Sequence, residues 1–362
     1  MFELKNICKK VGEKYHIRDV SMSLEQGSLN VLLGPTLSGK TTLMRLMAGL
    51  EKPTTGDILV EGKSVIGVPV QKRNVAMVYQ QFINYPAMTV YENIASPMRL
   101  AGLKKSTIDE KVRAAADLMK LGDFLDRTPL NLSGGQQQRT ALARALVKGA
   151  DLVLLDEPLA NLDYKLREEL RVELPRLFAE SGTILVYATT EPQEALLLGG
   201  NTATLSEGRL TQFGKSIAVH NKPIDLLTAQ TFSDPPMNLF TTRKQGTEIE
   251  LNGATVTLPQ ELANLPDGPY KIAVRPHHIL FAKPDTVSLT VQTEIATTEI
   301  TGSESFIHVN TGNHRWVVLT HGVHRVEIGD KVSVYLKPDD FFFFDTQNKL
   351  VAAPLRLQGG QN

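Results

Sequence analysis

The chain has 362 residues, enough for two domains, and its 42% hydrophobic and 22% charged residues are typical of a soluble globular protein. Lysine plus arginine equals aspartate plus glutamate at 39 each. The chain therefore has no net positive charge whose electrostatic field would hold it on nucleic acid or on an anionic membrane. The single cysteine, Cys8, excludes an internal disulfide and fits a reducing compartment.

The apolar runs are too short to cross a membrane. The longest, Leu152 to Leu155 and Ile184 to Tyr187, fall far below the roughly 18 residues that a spanning helix needs. Residues 1 to 10 alternate apolar and polar side chains like a strand, and they lack the apolar core and cleavage site of a signal peptide. We therefore expect a cytoplasmic location.

The first part of the chain, residues 1 to 234, alternates strand-like and helix-like segments, which is typical of an α/β domain. Within it, residues from about 88 to 150 are expected to form a helical subdomain. Helical periodicity continues over residues 162 to 180, where Pro175 predicts a kink or a break. A Pro-rich stretch around Phe232 to Asn238 suits a linker. Beyond it, residues 235 to 362 contain short β-branched segments bounded by turns, which indicate a small barrel.

A glycine-rich run fits the pattern G-x-x-x-x-G-K-[ST] after a predicted strand and before a predicted helix. Its residues are Gly34, Pro35, Thr36, Leu37, Ser38, Gly39, Lys40 and Thr41, with Thr42 following. The backbone N–H groups of such a loop point at phosphates, and the helix N-terminus adds partial positive charge. Lys40 would neutralise the β- and γ-phosphates, and Thr41 would hold Mg²⁺. A glycine-rich turn with a chance lysine is the alternative.

An acidic pair, Asp156 and Glu157, follows four apolar residues at the end of a predicted buried strand. Ligands of open α/β sheets bind at this edge. Asp156 would hold Mg²⁺, and Glu157 would take the proton of an attacking water. Taken alone, two solvated acids at a strand end would explain the pair equally well.

The run Ser133-Gly134-Gly135-Gln136 precedes a helix-forming stretch. Ser133 stands where a helix-capping residue would stand, and the glycines leave backbone N–H groups uncovered. Simple capping explains this run by itself.

The three elements together, in this order, resemble the nucleotide-binding subunit of an ABC transporter. The resemblance implies a P-loop NTPase fold that binds ATP and Mg²⁺. It also implies that Ser133, Gly134, Gly135 and Gln136 close on the γ-phosphate held by a second subunit, which gives a head-to-tail dimer with two composite sites. Leu37 is bulkier than the small residue usual in the loop, but loop contacts come from the backbone, so phosphate binding should survive.

The same resemblance assigns roles to single residues. Gln80 matches the glutamine that contacts Mg²⁺ and the attacking water, and Asp163, in the segment Asn161 to Asp163, would reach across the dimer. Tyr15 is the candidate for stacking on adenine, because Val11 stands in the usual aromatic position. The stretch Gln81 to Val90 resembles the surface that receives the membrane subunit, although an ordinary loop with aromatic anchors is also consistent with it.

Thr190 departs from the family pattern. Family members usually read aromatic-x-Thr-His-Asp, and this chain reads Tyr187 to Glu191 with Thr190 in place of the histidine. The loss of a group that stabilises transition-state charge would slow catalysis on the order of a hundredfold or more. Binding should suffer less. The alternative is that Thr190, with Glu157 present, supports adequate turnover. We expect the chain to pair with a different, histidine-bearing ATPase, a heterodimer being favoured over a homodimer.

The whole chain resembles the carbohydrate-importer branch of the family, of the maltose and glycerol-phosphate type. The similarity lies in Asp156 to Arg167 and in Val274 to His278, which looks like a turn of the branch's OB-like (TOBE-type) C-terminal regulatory domain. It implies membrane permease subunits as partners, an extracytoplasmic solute-binding protein as an indirect one, and a peripheral position at the cytoplasmic face of the inner membrane. Glycerol is the best guess for the solute.

Two readings from other classes stay open. A non-transport ABC ATPase would usually carry tandem cassettes or a long coiled-coil insertion, and the sequence shows neither. A nucleic-acid-associated regulator could use the β-rich C-terminal part, because OB-like barrels often bind oligonucleotides. Aromatic residues are present there at Trp316 and at Phe341 to Phe344, but no basic cluster lies beside them. We therefore expect no nucleic-acid partner.

Overall fold

The structure is a computed structural model that describes residues 1–160, 162–312 and 314–357. It consists of two compact units, the first covering Met1–Ser216 and the second starting at Ile217. None of the described helices is long and apolar enough to cross a membrane.

The first unit alternates strands and helices in the order that the sequence predicted. Its strands are β1 (Phe2–Val11), β2 (Lys14–Leu24), β3 (Leu29–Leu33), β4 (Thr55–Val60), β5 (Lys63–Ser64), β6 (Val75–Val78), β7 (Leu152–Asp156), β8 (Ile184–Thr189), β9 (Asn201–Ser206) and β10 (Arg209–Lys215). Its helices are α1 (Lys40–Ala48), α2 (Val90–Leu100), α3 (Lys105–Leu118), α4 (Gly134–Val147), α5 (Tyr164–Glu180) and α6 (Pro192–Leu198).

A six-stranded sheet in the order β10-β9-β3-β8-β7-β6 forms the centre of this unit. Strands β6, β7, β8, β3 and β9 pair in parallel, and β10 closes the edge antiparallel to β9. All residues of β7 and β8 are buried, as expected for parallel strands covered on both faces. The parallel pairing brings the carboxyl ends of β3, β6, β7 and β8 to one edge, where ligands of such sheets bind.

Two apolar cores cover the two faces of this sheet. One packs α1 against it and continues into a smaller antiparallel sheet in the order β2-β1-β4-β5. The other packs α2, α3, α4 and α5 against the opposite face. The helix that follows β3 and the helices that follow β6 and β7 therefore approach the sheet from different sides.

Helix α5 runs without interruption through Pro175, so of the two predicted outcomes, a kink or a break, the break does not occur. Its buried side chains recur at every fourth residue, at Leu166, Leu170, Leu174 and Phe178. Such a continuous apolar stripe packed into a core holds a helix together where one backbone hydrogen bond is lost to proline.

The second unit is β-rich, which confirms the fold class expected for the C-terminal part. Its strands are β11 (Asn238–Lys244), β12 (Glu248–Leu251), β13 (Ala254–Thr257), β14 (Gly268–Val274), β15 (Ile279–Leu280), β16 (Leu289–Ile300), β17 (Glu304–Thr311), β18 (His314–His321), β19 (Lys331–Leu336), β20 (Phe342–Phe344) and β21 (Leu350–Ala352). They form sheets in the orders β11-β14-β20-β21, β12-β13 and β15-β19-β16-β17-β18. The short helices α7 (Ser216–Asn221), α8 (Leu226–Thr231) and α9 (Gln260–Ala263) complete the chain.

The residues from 217 onward belong to the second compact unit. The domain boundary between residues 234 and 235 stays a prediction from the sequence. Leu226 N–H donates to the Asn348 carbonyl at 2.9 Å, and Leu350 N–H donates to the Ile224 carbonyl at 3.1 Å. These bonds tie the segment around α8 to β21 of the second unit.

Candidate nucleotide-binding site

The glycine-rich run forms the loop between β3 and α1. Gly39 has φ 105°, and a Cβ atom there would lie 2.9 Å from the Ile17 side chain and 3.0 Å from the His16 carbonyl, so the position requires glycine. Leu37 also adopts the left-handed region, with φ 68°, and its side chain is 96% exposed. A leucine in this conformation is strained, so the loop stores strain at its tip.

Lys40 begins α1 and is buried beneath this loop. Its Nζ donates hydrogen bonds to the carbonyls of Gly34, at 2.7 Å, and of Pro35, at 3.1 Å. Burial lowers the pKa of Lys40, and the charges of Glu157 and Asp156 oppose the shift. The ammonium group thus lies at the N-terminus of α1, where positive charge favours an anionic ligand.

Asp156 is the last residue of β7, and its carboxylate faces α1. The Thr41 hydroxyl donates to Asp156 Oδ2 at 2.7 Å. Burial raises the pKa of Asp156, while the hydrogen bond from Thr41 and the charge of Lys40 oppose the shift.

Glu157 follows the strand in the left-handed region, with φ 46°, and its N–H donates to the Ala188 carbonyl at 3.0 Å. Gln80 Nε2 donates to Glu157 Oε2 at 2.8 Å. The register explains this contact, because Val78 pairs with Leu155 and both Gln80 and Glu157 lie just past that pair. Burial raises the pKa of Glu157, Lys40 lowers it, and Asp156 raises it further.

These residues open onto a cavity of about 660 Å³. The predicted residues that line it are Tyr15, Thr36, Leu37, Gly39, Lys40, Thr41, Thr42, Gln80, Glu157 and Thr190. Of the other predicted residues, Asp156 is linked to the cavity through Thr41, and Gly34 and Pro35 through Lys40. Ser38 is buried in the loop. The structure thus brings residues from distant parts of the chain to one place.

Four lining residues were not predicted from the sequence, namely His16, Arg18, Glu207 and Gly208. The Arg18 N–H donates to the Gly208 carbonyl at 2.8 Å, which joins β2 to the turn between β9 and β10. None of these four residues belongs to a recognised motif. The only signal in the sequence was that His16 and Arg18 lie close to Tyr15 along the chain.

The Tyr15 ring has two cations near it. Lys10 Nζ lies 4.7 Å from the ring centroid and Arg18 Cζ lies 5.3 Å from it. Val11, in the position where the family usually has an aromatic residue, is exposed and is not among the lining residues. This arrangement offers an aromatic surface with positive charge at the rim of the cavity.

The signature residues Ser133, Gly134, Gly135 and Gln136 are not among the described residues that line this cavity. They form the start of α4 as a capping box, in which Ser133 Oγ accepts from Gln136 N–H at 3.3 Å and Ser133 N–H donates to Gln136 Oε1 at 2.8 Å. Ser133 thus caps helix α4. Because its hydroxyl only accepts in this bond, it can still donate a hydrogen bond to another acceptor.

Asp163 also lies outside the cavity lining and caps a helix. Its Oδ1 accepts from Leu166 N–H at 3.0 Å at the start of α5. Asn161, which belongs to the same predicted segment, lies outside the described residues.

The donor set is compatible with Mg²⁺, which prefers oxygen ligands and is commonly held by one or two protein groups together with phosphate oxygens. Thr41 and Asp156 provide a hydroxyl and a carboxylate in contact, and Gln80 provides an amide oxygen beside Glu157. The described residues contain no group of three or more histidine, cysteine or acidic side chains that could hold a metal alone.

Comparisons with known proteins give the family of the chain. The family described as ABC transporter matches residues 17–160, and the family described as TOBE domain matches residues 272–344. The sn-glycerol-3-phosphate import ATP-binding protein UgpC of Cupriavidus pinatubonensis is 35% identical, over 95% of this chain and 97% of that protein. The chain belongs to the ABC transporter ATP-binding proteins.

Two further relatives of this ABC ATP-binding protein support the assignment. The maltose/maltodextrin import ATP-binding protein MalK of Escherichia coli is 34% identical, over 94% of this chain and 95% of MalK. The solved dimeric structure of the ATP-binding cassette MJ0796, bound to ADP and Pi in a post-hydrolysis state, matches with a TM-score of 0.56 and 28% identity, covering 60% of this chain and 99% of that one. The first unit thus has an ABC ATPase fold and binds ATP, and the second contains a TOBE domain.

Proposed function

We propose that this protein is the ATP-hydrolysing subunit of an importer for a sugar, a polyol or a glycerol-phosphate-like solute. The observation that carries the proposal is the assembly of Lys40, Thr41, Gln80 and Glu157 around one cavity. Support for import comes from UgpC and MalK, whose names describe import of glycerol phosphate and maltose. Both similarities extend over nearly the whole chain.

In this proposal each residue has a distinct chemical role. Lys40 and the backbone N–H groups of the loop bind the phosphates, and Thr41, Asp156 and Gln80 hold Mg²⁺. Glu157 accepts the proton of the attacking water, and its raised pKa brings it closer to the range in which a general base is effective. Tyr15 provides the surface on which adenine stacks.

The site would be completed by a second subunit. Ser133, Gly134, Gly135, Gln136 and Asp163 do not line this chain's own cavity, so their proposed contact with ATP requires a partner's nucleotide. Because Thr190 lines the cavity where the family usually has histidine, we propose that the partner is a different, histidine-bearing ATPase. The heterodimer would have one weak site and one competent site.

The remaining partners follow from the same proposal. Membrane permease subunits would dock on this chain at the cytoplasmic face of the membrane, and a solute-binding protein outside would deliver the solute to them. Glycerol is the solute that we favour. No side chain in the candidate site is expected to contact the cargo, because the cavity is built for a nucleotide.

Purification of the full chain and measurement of its ATPase activity test the pairing. We expect the ATPase turnover of the isolated chain to lie well below that of an intact transporter. The variant Glu157→Gln, which lacks the proposed base, is the inactive control. Full turnover by the chain alone, abolished by Glu157→Gln, would contradict the heterodimer. Coexpression with membrane permeases of a sugar or glycerol-phosphate importer from the same genome should give a detergent-stable complex, and the lack of such a complex with any of them would contradict the transport function.

A further inference from the structure

A buried carboxylate lies behind the candidate site, and none of the roles given so far involves it. Glu194 stands in the first turn of α6 and is 5% exposed. Its Oε2 accepts from the Thr189 hydroxyl at 2.6 Å and from the Tyr187 hydroxyl at 3.2 Å. Its Oε1 accepts from the Arg171 guanidinium of α5 at 3.4 Å. A carboxylate is buried only at a cost unless such donors surround it, so its place is closely specified.

The residue that Glu194 holds most tightly, Thr189, ends the strand on which the site depends. The Thr189 carbonyl accepts from the N–H of Gly34 at 3.4 Å, and the carbonyl before it, that of Ala188, accepts from the N–H of Glu157 at 3.0 Å. Thr190 follows directly and lines the cavity. The end of β8 thus connects the phosphate loop, the candidate base and the residue at the histidine position.

The two adjacent threonines have different surroundings. Thr189 is buried, and its hydroxyl donates to Glu194 and accepts from the N–H of Glu191 at 3.0 Å. Thr190 is exposed in the cavity. Helix α6 has only seven residues, and the Glu191 side chain makes no capping hydrogen bond to it. The buried bonds to Thr189 and Glu194 therefore fix the turn that leads from β8 into α6.

We propose that Glu194 is a positioning residue for ATP hydrolysis, which holds the turn from Thr189 to Glu191 so that Thr190 and Glu157 keep their places beside the nucleotide. Glu194 itself does not touch the substrate. Because small misplacements of reacting groups cost large factors in rate, loosening this turn should lower the hydrolysis rate more than the affinity for ATP. The inference rests on the roles proposed above for Glu157 and Thr190, and it does not depend on the solute.

The first test compares Glu194→Gln with Glu168→Gln in the full chain. Arg171 forms ion pairs with both glutamates, but Glu168 is half-exposed and has no bond to Thr189, so it is a matched control. In Glu194→Gln, the amide nitrogen must face either the Arg171 guanidinium or the two hydroxyls of Thr189 and Tyr187, so the set of three bonds is not kept. We expect single-turnover hydrolysis of radiolabelled ATP to fall about tenfold. The dissociation constant for ATP should stay within about twofold, and Glu168→Gln should change neither quantity.

A second pair of variants approaches the same bond from Thr189. Thr189→Val removes the hydroxyl with almost no change in volume, and Thr189→Ser retains it. We expect Thr189→Val to reproduce the rate loss and Thr189→Ser to restore most of the wild-type rate. Such rescue would not be seen if the residue only filled space.

Hydrogen exchange of the peptide covering residues 187 to 194 gives a readout that does not require turnover. We expect faster exchange in Glu194→Gln and Thr189→Val than in wild type and Glu168→Gln. Equal exchange in all four proteins would overturn the proposal. This test remains valid if the hydrolysis rate of wild type is no higher than that of the inactive Glu157→Gln control. A parallel loss of ATP affinity, hydrolysis and thermal stability in Glu194→Gln would likewise overturn it, because that pattern indicates a purely structural role.

Discussion

Thr190 lines the cavity at the position where the resemblance to ABC ATPases leads us to expect a histidine. A threonine hydroxyl is short and never carries positive charge, whereas a histidine in this place can stabilise charge that develops on the transferred phosphate. We expect Thr190→His to raise ATP hydrolysis by the isolated chain about tenfold or more. The affinity for ATP should change little, because Lys40 and the loop provide most of the phosphate contacts. Steady-state ATPase assays and a nucleotide-binding titration measure the two quantities.

The control for this prediction is the double variant Thr190→His with Glu157→Gln, which should be inactive. An unchanged rate in Thr190→His, together with high wild-type turnover, would show that Thr190 suffices for catalysis. The proposed weak site would then be wrong.

The raised pKa values of Asp156 and Glu157 predict a pH dependence of stability. A carboxyl group whose folded-state pKa lies above its unfolded-state pKa binds more protons when folded, so stability decreases as pH rises through the interval between the two values. Both pKa values are raised chiefly by burial. We therefore expect Glu157→Gln to be more thermally stable than wild type at pH 8, with a difference that shrinks toward pH 4. Thermal unfolding at several pH values measures this difference, and a constant offset at all pH values would contradict it.

At the residue level, the motifs predicted the residues with a proposed chemical role better than the other residues that line the cavity. Lys40, Thr41 and Glu157 were predicted from motifs, because phosphate and metal binding demand particular residue types at particular spacings, and Gln80 was predicted from the resemblance. The structure brings all four side chains to one cavity. Residues such as Arg18 join the wall through the pairing of Arg18 with Gly208, which are far apart in the chain. Backbone pairing of this kind leaves no mark on residue type, and so it could not be predicted.

The residues at the start of α4 have two functions, one in helix capping and one, proposed, in nucleotide binding across the dimer. Ser133 and Gln136 form a capping box, and the same residues are proposed to contact a partner's nucleotide. Aspartate is as good an N-cap as serine, but its charge would repel a γ-phosphate. We expect Ser133→Ala to lose about 1 kcal/mol of stability. Ser133→Asp should keep the wild-type melting temperature and lose ATP-dependent assembly with the partner.

Melting temperatures and light scattering with ATP separate the two functions of this element. If Ser133→Asp assembles and turns over like wild type, the hydroxyl contributes only as a cap. The proposed contact across the dimer would then be contradicted.

Element types were predicted well where the periodicity was strong, and poorly where local chemistry and packing disagree. Pro175 predicted a kink or a break, yet α5 continues because its apolar stripe is buried along the whole helix. Here tertiary contacts, which a local pattern does not contain, override the local signal for a break.

For the whole molecule, the heterodimer proposal predicts that the same chain contributes unequally to two sites. Its own phosphate loop and Glu157 would serve the weak site, and Ser133 would serve the competent site of the partner. In the assembled complex we therefore expect Glu157→Gln in this chain to reduce total ATP hydrolysis by less than twofold. Ser133→Asp in this chain should abolish most of it, even though its cavity is intact. ATPase assays on the purified complex, with the equivalent base of the partner substituted as the control, give the comparison. Equal losses from Glu157→Gln in this chain and from substitution of the equivalent base in the partner would indicate two equivalent sites and contradict the asymmetry.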